Sequence, residues 1–435
     1  MTTTEARAAE PRTPALRHNR QFRLLWMGQT LSSFGSSMSG VALPLVLLTS
    51  GHAVTAVAAV GTAVAAAGLA ARIPAGFVSD RYDERRLLIG CDLVQLAAIG
   101  AVAVSAVLGP LPLWLAFGAV VVAAVAEEVF KPSQYRLIRR VVSTEQIPSA
   151  ISLNQARAYG AQIAGPAAAG LLIALRPALP FALDALTFLV SALCIAGAVP
   201  ASRSASAGRA TAREARPAPA AGRQRPEPGF WHQFTVGWRH LAADPFLRRS
   251  TLYFCGLTLV FTAFGSALIL GVGRERGGAQ LVGWAVSTAA LAGLLGSLAA
   301  PTLQRRLPTR VVVAAGPAAA TVLLLVAWLT RDTLAFVAGF SAMCLLVPVI
   351  NATVASVMAT SVPEEIYGRV ATANDFTVQL LQPLGPLAAG LLVSRSMPVT
   401  AVVLAVGLGA LAVLAVTLPT PAPAPARPEP AWREP

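Results

Sequence analysis

The chain has 435 residues, of which 55% are hydrophobic and only 12% are charged, and its formal net charge is +14. Soluble domains carry roughly twice that charged fraction. So few charges cannot cover a water-exposed surface, and lipid is therefore the expected solvent for most of the chain. In a soluble protein the basic excess would indicate nucleic acid. Here the cations lie between apolar runs, as membrane topology signals do, so we expect a lipid-bilayer protein without a nucleic-acid partner.

Apolar runs follow one another along almost the whole chain. A helix that crosses a bilayer needs about 20 apolar residues. Twelve runs satisfy this length, at residues 22–49, 53–79, 87–108, 112–134, 149–174, 179–199, 250–272, 280–301, 310–330, 333–359, 370–394 and 398–418. Many connectors are only a few residues long, so neighbouring helices must be antiparallel. The runs predict an all-α integral membrane protein with 12 transmembrane helices.

The composition changes between the sixth and the seventh run. Residues 201–229 are rich in Ala, Arg and Pro and lack apolar periodicity, which is typical of a disordered linker. Aromatic residues then recur near helical spacing and predict an amphipathic surface helix at 230–249. The predicted order is an N-terminal tail, a six-helix bundle, a linker with its surface helix, a second six-helix bundle and a disordered tail, at residues 1–21, 22–199, 200–249, 250–418 and 419–435.

The distribution of Lys and Arg predicts the orientation. If the N-terminus lies inside, the inside segments hold 27 of the 34 basic residues and the outside loops hold five. Cytoplasmic loops of membrane proteins carry such an excess. We expect a multi-pass protein of the cell membrane with both termini and the linker in the cytoplasm.

The sequence also repeats itself at an offset of 220 residues. Asn154 then aligns with Asn374, and Gly170 with Gly390. The same offset places Gly76 over Gly296 without gaps. Two bundles of six helices that arise by parallel duplication are related by a pseudo-two-fold axis along the membrane normal.

Two motifs resemble signatures of the major facilitator superfamily. The stretch GFVSDRYDERR resembles the family's motif between helices two and three, through Gly76, Asp80, Arg81, Arg85 and Arg86. The fifth run resembles the Gly-Pro motif of the family's exporters, through Gly160, Gly165, Pro166 and Gly170. Residues 19–48 and 181–197 are similar to a branch of bacterial proton-driven exporters that includes macrolide and siderophore exporters.

The resemblance implies a central cavity lined by helices one, four, seven and ten. It also implies a proton gradient instead of a cofactor, a functional monomer, and close contact between the halves at the Gly-Pro motif. In the family, Asp80 would meet the start of helix eleven when the cytoplasmic side closes, and Arg85 could pair with Asp375. The chain departs from the pattern at Ser36, where an acid is common, and at Ala300, which stands where the first copy has Asp80.

Adjacent glutamates in the fourth run are the leading candidates for transport chemistry. Glu127 lies nine residues before Arg136, or roughly 13 Å deeper along a helix. An unpaired charge there costs on the order of 3 kcal/mol, so the group must pair, face water or hold a proton. Either glutamate takes a proton or substrate role, or Lys131 locks Glu127 or Glu128 statically at helical spacing. Arg157 is a further possible partner.

The cavity helices also carry softer candidates for substrate contact: Gln29, Ser33, Ser36, Tyr253, Phe261, Phe264, Met343 and Asn351. A mostly apolar cavity with few polar groups suits amphipathic substrates. Each of these residues is equally open to a packing role. Arg72 is expected to extend to the cytoplasmic surface, while Asp92 and Asp184 are expected to serve structure.

These patterns favour secondary active efflux of small amphipathic compounds by proton antiport. One alternative is an importer of a small polar solute on the same fold. Another is a membrane sensor or lipid-handling protein without solute turnover. An enzyme has no support, because the chain contains no GxxxxGK[ST], no GxSxG and no histidine cluster.

Overall fold

The computed structural model describes residues 19–143, 146–198, 230–275, 277–362 and 364–417. The linker predicted at 201–229 and most of both predicted tails lie outside these residues. The first half contains six helices: α1 Arg20–Thr49, α2 Val54–Arg81, α3 Glu84–Leu108, α4 Leu113–Val141, α5 Ile147–Leu175 and α6 Leu179–Ala198.

The second half begins with a short helix and continues with seven more. They are α7 Phe230–Ala243, α8 Pro245–Val272, α9 Gly278–Arg306, α10 Thr309–Thr330, α11 Thr333–Ser361, α12 Glu364–Gln379, α13 Leu384–Arg395 and α14 Met397–Val416. Among the described residues, 12 helical spans are long and apolar enough to cross a membrane. The prediction of an all-α protein with 12 transmembrane helices is confirmed.

Side-chain caps explain where several helices begin. The Asp83 carboxylate accepts a hydrogen bond from the Arg86 amide at 3.0 Å, and Asp244 accepts one from Leu247 at 2.9 Å. Such a cap satisfies a backbone donor that the first turn leaves free. Because Asp244 starts α8, the surface helix predicted at 230–249 is too long, and α7 ends at Ala243.

The eleventh apolar run is not one helix. It was predicted at 370–394, but the backbone breaks between α12 and α13, across residues 380–383. Pro383 has no amide hydrogen and its ring excludes the carbonyl one turn earlier, which interrupts a helix at this point. The span therefore consists of two shorter helices.

The helix contacts repeat from one half to the other. In the first half α2 packs on α4 and α3 packs on both α4 and α6; in the second, α9 packs on α11 and α10 packs on both α11 and α14. These are equivalent pairs in two bundles of six spans. The halves meet chiefly where α5 packs on α9 and where α2 packs on α13, which are again equivalent positions.

The two ends of the molecule differ in their charge and in how closely the two halves pack against each other. The basic end carries the connections after α2, α4 and α9, with their paired arginines; the opposite end carries the start of α2 and the end of α5. At the opposite end a Cβ on Gly170 would lie 2.8 Å from the Ala279 carbonyl oxygen, and one on Gly390 would lie 3.5 Å from the Thr55 Cα. The halves are thus closely packed at the opposite end.

The Gly-Pro motif is only partly a packing motif. A Cβ on Gly165 would lie 3.0 Å from the Met38 amide of α1, whereas Gly160 has no heavy atom within 4 Å of that position. The expectation that Gly160 allows close helix packing is wrong, because this face of α5 meets open space there.

Candidate functional site

Two neighbouring chambers lie within and beside the first bundle. The first, which we call the apolar chamber, measures about 450 Å³ and is lined mainly by aliphatic residues of α1, α2, α3 and α4. The second, the polar chamber, measures about 320 Å³ and is lined by α1, α3, α4 and α5. Ser36, Gln95 and Glu127 line both chambers, so the junction is polar and carries a carboxylate.

Glu127 and Glu128 occupy different environments. Glu127 lines both chambers and its side chain is 49% exposed. The Glu128 side chain is 14% exposed, and its carboxylate lies 2.7 Å from Lys131 Nζ and 3.3 Å from Arg72 Nε. Lys131 Nζ lies 3.9 Å from Glu127. Since adjacent helical residues point about 100° apart, one glutamate faces the cavity and the other faces α2.

Arg72 does not simply extend to the surface. Besides Glu128, its Nη1 lies 3.8 Å from Asp375 Oδ2 on α12. Arg72 therefore contacts carboxylates of both halves, at a groove that Gly76, Asp80 and Asp375 also line. Arg72 lies near the basic end, as predicted, but its contact with the second half was not predicted from the sequence.

Arg157 lines the polar chamber but does not pair with a glutamate. Its residue is only 9% exposed, and no described carboxylate oxygen lies within 4.0 Å of its guanidinium group. The expected direct partnership with Glu127 or Glu128 is not formed, because α4 and α5 hold the side chains on separate walls of the chamber.

A chain of amides extends from the polar chamber into the first bundle. Gln134 Nε2 donates to Gln29 Oε1 at 3.0 Å, and Gln29 Nε2 donates to Ser191 Oγ at 3.2 Å. Gln29, Ser33 and Ser36 line the polar chamber as predicted from the sequence. Gln134 and Gln95 were missed, although each lies one helical turn from an ionisable residue of its own helix.

Asp92 and Asp184 lie deeper than sequence analysis expected. Both are 1% exposed. Asp92 lines the polar chamber and Asp184 lines the apolar chamber. The family resemblance assigned the cavity to helices one, four, seven and ten, and so gave no reason to expect lining residues on α3 and α6.

The second half contributes little of the predicted lining. Tyr253, Phe264 and Met343 are fully enclosed, so the prediction that they face the cavity is wrong. The Tyr253 hydroxyl donates to the Val313 carbonyl at 2.9 Å, and Phe264 packs edge-on against Phe340 with ring centroids 5.3 Å apart. These side chains stabilise contacts between α8 and its own bundle.

Two further predicted lining residues also lie outside the chambers. Phe261 stacks on Phe340 at 5.6 Å, and Asn351 is exposed without lining either chamber. What the second half does supply to the apolar chamber is small or aliphatic: Ser266, Ile269, Leu270 and Pro386.

The charged loop pairs within its own half. Asp80 contacts the Arg136 guanidinium, and Glu84 accepts from Arg140 at 2.6 Å. Arg85 donates to the Ala196 carbonyl at 3.2 Å, so the predicted pair with Asp375 is not formed here. Arg81 and Arg86 make no ion pair among the described residues. The halves are closed at the opposite end, and the loop is not engaged with α12.

These features define a class before any comparison. Twelve spans in two equivalent bundles, with ionisable groups in a membrane-embedded chamber, are the architecture of a solute transporter. The family model of the Major Facilitator Superfamily matches residues 25–380, and the chain belongs to this superfamily. It is a multi-pass membrane transporter rather than an enzyme, and it binds small-molecule substrates within the membrane.

Solved structures show the same fold at low sequence identity. The nucleoside transporter NupG, in a point-mutant form, superimposes with a TM-score of 0.69 at 12% identity, covering 92% of this chain and 99% of that one. A POT family transporter in complex with a thioalcohol-conjugated peptide gives 0.63 at 11% identity, covering 91% and 95%. A search of curated proteins finds no match.

Proposed function

We propose that this transporter exports small amphipathic compounds from the cytoplasm in exchange for protons, without a further cofactor. The observation that carries the proposal is the position of Glu127. Its carboxylate is accessible and stands where an apolar and a polar chamber meet. A carboxylate at this depth can exchange a proton for a cationic or hydrogen-bonding substrate, because the empty charged form is costly in the membrane.

The conformation of the molecule is one in which an exporter would take up its substrate. The positive-inside rule puts the basic end and both termini in the cytoplasm. The halves are packed at the opposite end, where α5 meets α9 and α2 meets α13. A molecule of this shape would load from the cytoplasmic side.

The charged loop fits a latch that works when the basic end closes. Asp80 is held by Arg136 and Arg85 by the Ala196 carbonyl while the loop is disengaged. On closure both groups would reach α12, whose N-terminus favours an anion by a few tenths to about 2 kcal/mol. Asp80→Asn is expected to slow transport without changing membrane insertion; an unchanged rate would leave the loop with a topology role alone.

Inside-out membrane vesicles test the proposal. With an acidified lumen, an exporter accumulates a fluorescent cationic dye, and a proton uncoupler stops the accumulation. Glu127→Gln should remove it, while Glu275→Gln, at an exposed position beside Thr333, should leave it unchanged. Accumulation that persists in Glu127→Gln and with uncoupler contradicts proton exchange at this site.

An importer of a polar solute is the second candidate. The polar chamber favours it, since amides and an arginine line a space that an apolar substrate alone would not need. The two structural neighbours are a nucleoside transporter and a peptide-bound transporter, although their likeness extends only to the fold. Right-side-out vesicles that take up such a solute with protons, and inside-out vesicles that fail to accumulate dye, would favour import.

A further inference from the structure

The Arg157 side chain lies deep in the membrane-spanning region. It is ten residues from the start of α5 at Ile147, or about 15 Å along the helix axis. The helix has 29 residues and is longer than the hydrocarbon core, so Arg157 lies within the part of α5 that the core surrounds rather than at its end. A guanidinium group at this depth is costly and normally has a partner or a ligand.

No described group makes a hydrogen bond or an ion pair with Arg157, although Asp92 and Glu127 line the same chamber and Glu127 attracts the guanidinium group electrostatically. Its Nε and Nη1 atoms are enclosed and make no hydrogen bond. The other two cations of this region, Arg72 and Lys131, already contact Glu128. Arg157 is therefore the cation of the site that is free to receive an external acceptor.

Arg157 is not alone in lacking partners. Asp92 Oδ2 and Gln95 Nε2 are also enclosed without a hydrogen-bond partner. All three residues line the same polar chamber of about 320 Å³. Native proteins satisfy nearly all buried polar groups, so a cluster of unsatisfied groups around one space indicates that something polar occupies it.

The polar chamber adjoins the apolar chamber, and Ser36, Gln95 and Glu127 line both. A single molecule can fill both only if one part is apolar and the other carries polar atoms. We infer that the polar chamber is a subsite for the polar end of the transported molecule, and that Arg157 binds a carboxylate or a comparable anionic oxygen at that end. The substrate class is thus an amphipathic molecule with an apolar body and an acidic head group. This inference deepens the proposed function and rests on it.

A matched pair of dyes tests the subsite. The probes are a xanthene dye with a free carboxylate and the methyl ester of the same dye, bound to the purified full-length protein and measured by fluorescence anisotropy. Wild type should bind the free acid about tenfold more tightly than the ester, because a charge-assisted hydrogen bond is worth this much. Arg157→Gln should bind both dyes equally, and Arg157→Lys should restore part of the preference.

The control is Arg176→Gln, at the exposed end of the same helix, which should keep the wild-type preference. If Arg157→Gln does not fold, Ser33→Leu fills the polar chamber without removing a charge and should also abolish the preference. Equal binding of both dyes by wild type, or equal weakening of both by Arg157→Gln, overturns the subsite in favour of trapped water or a structural arginine.

The outcome separates the subsite from the proposed function. If the ester accumulates in vesicles without a proton gradient, proton exchange is contradicted. The preference of the protein for the free acid, if it depends on Arg157, would still support the subsite. Proton-driven transport by a protein that binds both dyes equally would contradict the subsite and leave the proposed function intact. A wild-type protein that binds neither dye contradicts both.

Discussion

The two halves share one arrangement of helices but differ sharply in chemistry. Away from the charged loop and its arginine partners, the spans of the first half hold seven charged-type residues that are enclosed, paired or facing a chamber: Arg72, Asp92, Glu127, Glu128, Lys131, Arg157 and Asp184. In the described second half, carboxylates on the spans are confined to α12, where Asp375 lines the groove at the basic end. At the offset of 220 residues the equivalent positions hold no ionisable side chain; they are Ala292, Val312, Val347, Pro348, Asn351, Thr377 and Leu404.

The difference shows that a duplicated scaffold does not require duplicated function. The helix contacts are repeated because both copies must bury the same small-residue faces. Charge in the membrane is costly, so it persists where it is used. We interpret the first half as the part that handles protons and polar ligand groups, and the second as the apolar body against which it moves.

Removing a carboxylate from each half gives the largest expected contrast. Glu127→Gln should reduce dye accumulation to that of membranes without the protein, since no protonatable group remains at the junction of the chambers. Asp375→Asn should slow accumulation without abolishing it, because Asp375 lies outside both chambers. Initial rates in inside-out vesicles measure both, and equal losses would break the contrast between the halves.

Introducing the missing acid into the second half should destabilise the protein. Ala300 is 5% exposed and packs against Val312 and Val349. Ala300→Asp buries an unpaired carboxylate and should lower the free energy of unfolding by about 3 kcal/mol.

Removing the acid of the first copy, Asp80, should destabilise the protein much less. The Asp80 side chain is 76% exposed, so Asp80→Ala removes a surface ion pair worth roughly 0–1 kcal/mol. Thermal unfolding in detergent compares the two variants. A stable Ala300→Asp protein that transports faster would show that the second copy of the motif can be restored.

The interface between the halves should tolerate no added methyl group at Gly170. The new Cβ would lie 2.8 Å from the Ala279 carbonyl oxygen and 3.0 Å from the Gln280 Cα, and backbone atoms must move to admit it. Gly170→Ala should cost about 1–3 kcal/mol and slow transport. Gly160→Ala meets no atom within 4 Å and should unfold at or above the wild-type temperature. A Gly160→Ala protein that is less stable than the Gly170→Ala protein would contradict the packing of α5 on α9.

The smallest effect on transport is expected at Tyr253. Tyr253→Phe removes the hydrogen bond to the Val313 carbonyl and should cost about 1 kcal/mol of stability. The rate of transport and its dependence on dye concentration should stay at wild-type values, because the ring does not face a chamber. A changed substrate preference in the Tyr253→Phe protein would show that Tyr253 contributes to the substrate site.

Most of the fold was predictable from hydropathy alone. The predicted apolar runs agree with the helices to within a few residues at most ends, since a run of about 20 apolar residues has few alternatives in lipid. The exceptions arise from local chemistry. Asp244 separates α7 from α8 by capping α8, and Pro383 divides the eleventh span. Both residues are visible in the sequence, but the apolar residues around them dominated the prediction.

The site was predictable in its residue types but not in its geometry. The adjacent glutamates stood out because carboxylates are rare in apolar runs. Which of them faces the cavity depends on the rotation of α4, and that is set by its packing on α2, where Arg72 receives Glu128. Asp92 was assigned to structure because it lies close in sequence to the charged loop, and Asp184 because the family places helix six at the periphery.

Composition, apolar run length and the distribution of arginines were thus enough to predict a duplicated 12-span membrane protein, because lipid imposes one strong rule on every segment. The chambers, the separation of Glu127 from Glu128 and the unpartnered Arg157 emerged only from the packed structure. They depend on how six helices rotate against one another, and that rotation is decided by side-chain contacts between residues far apart in the chain.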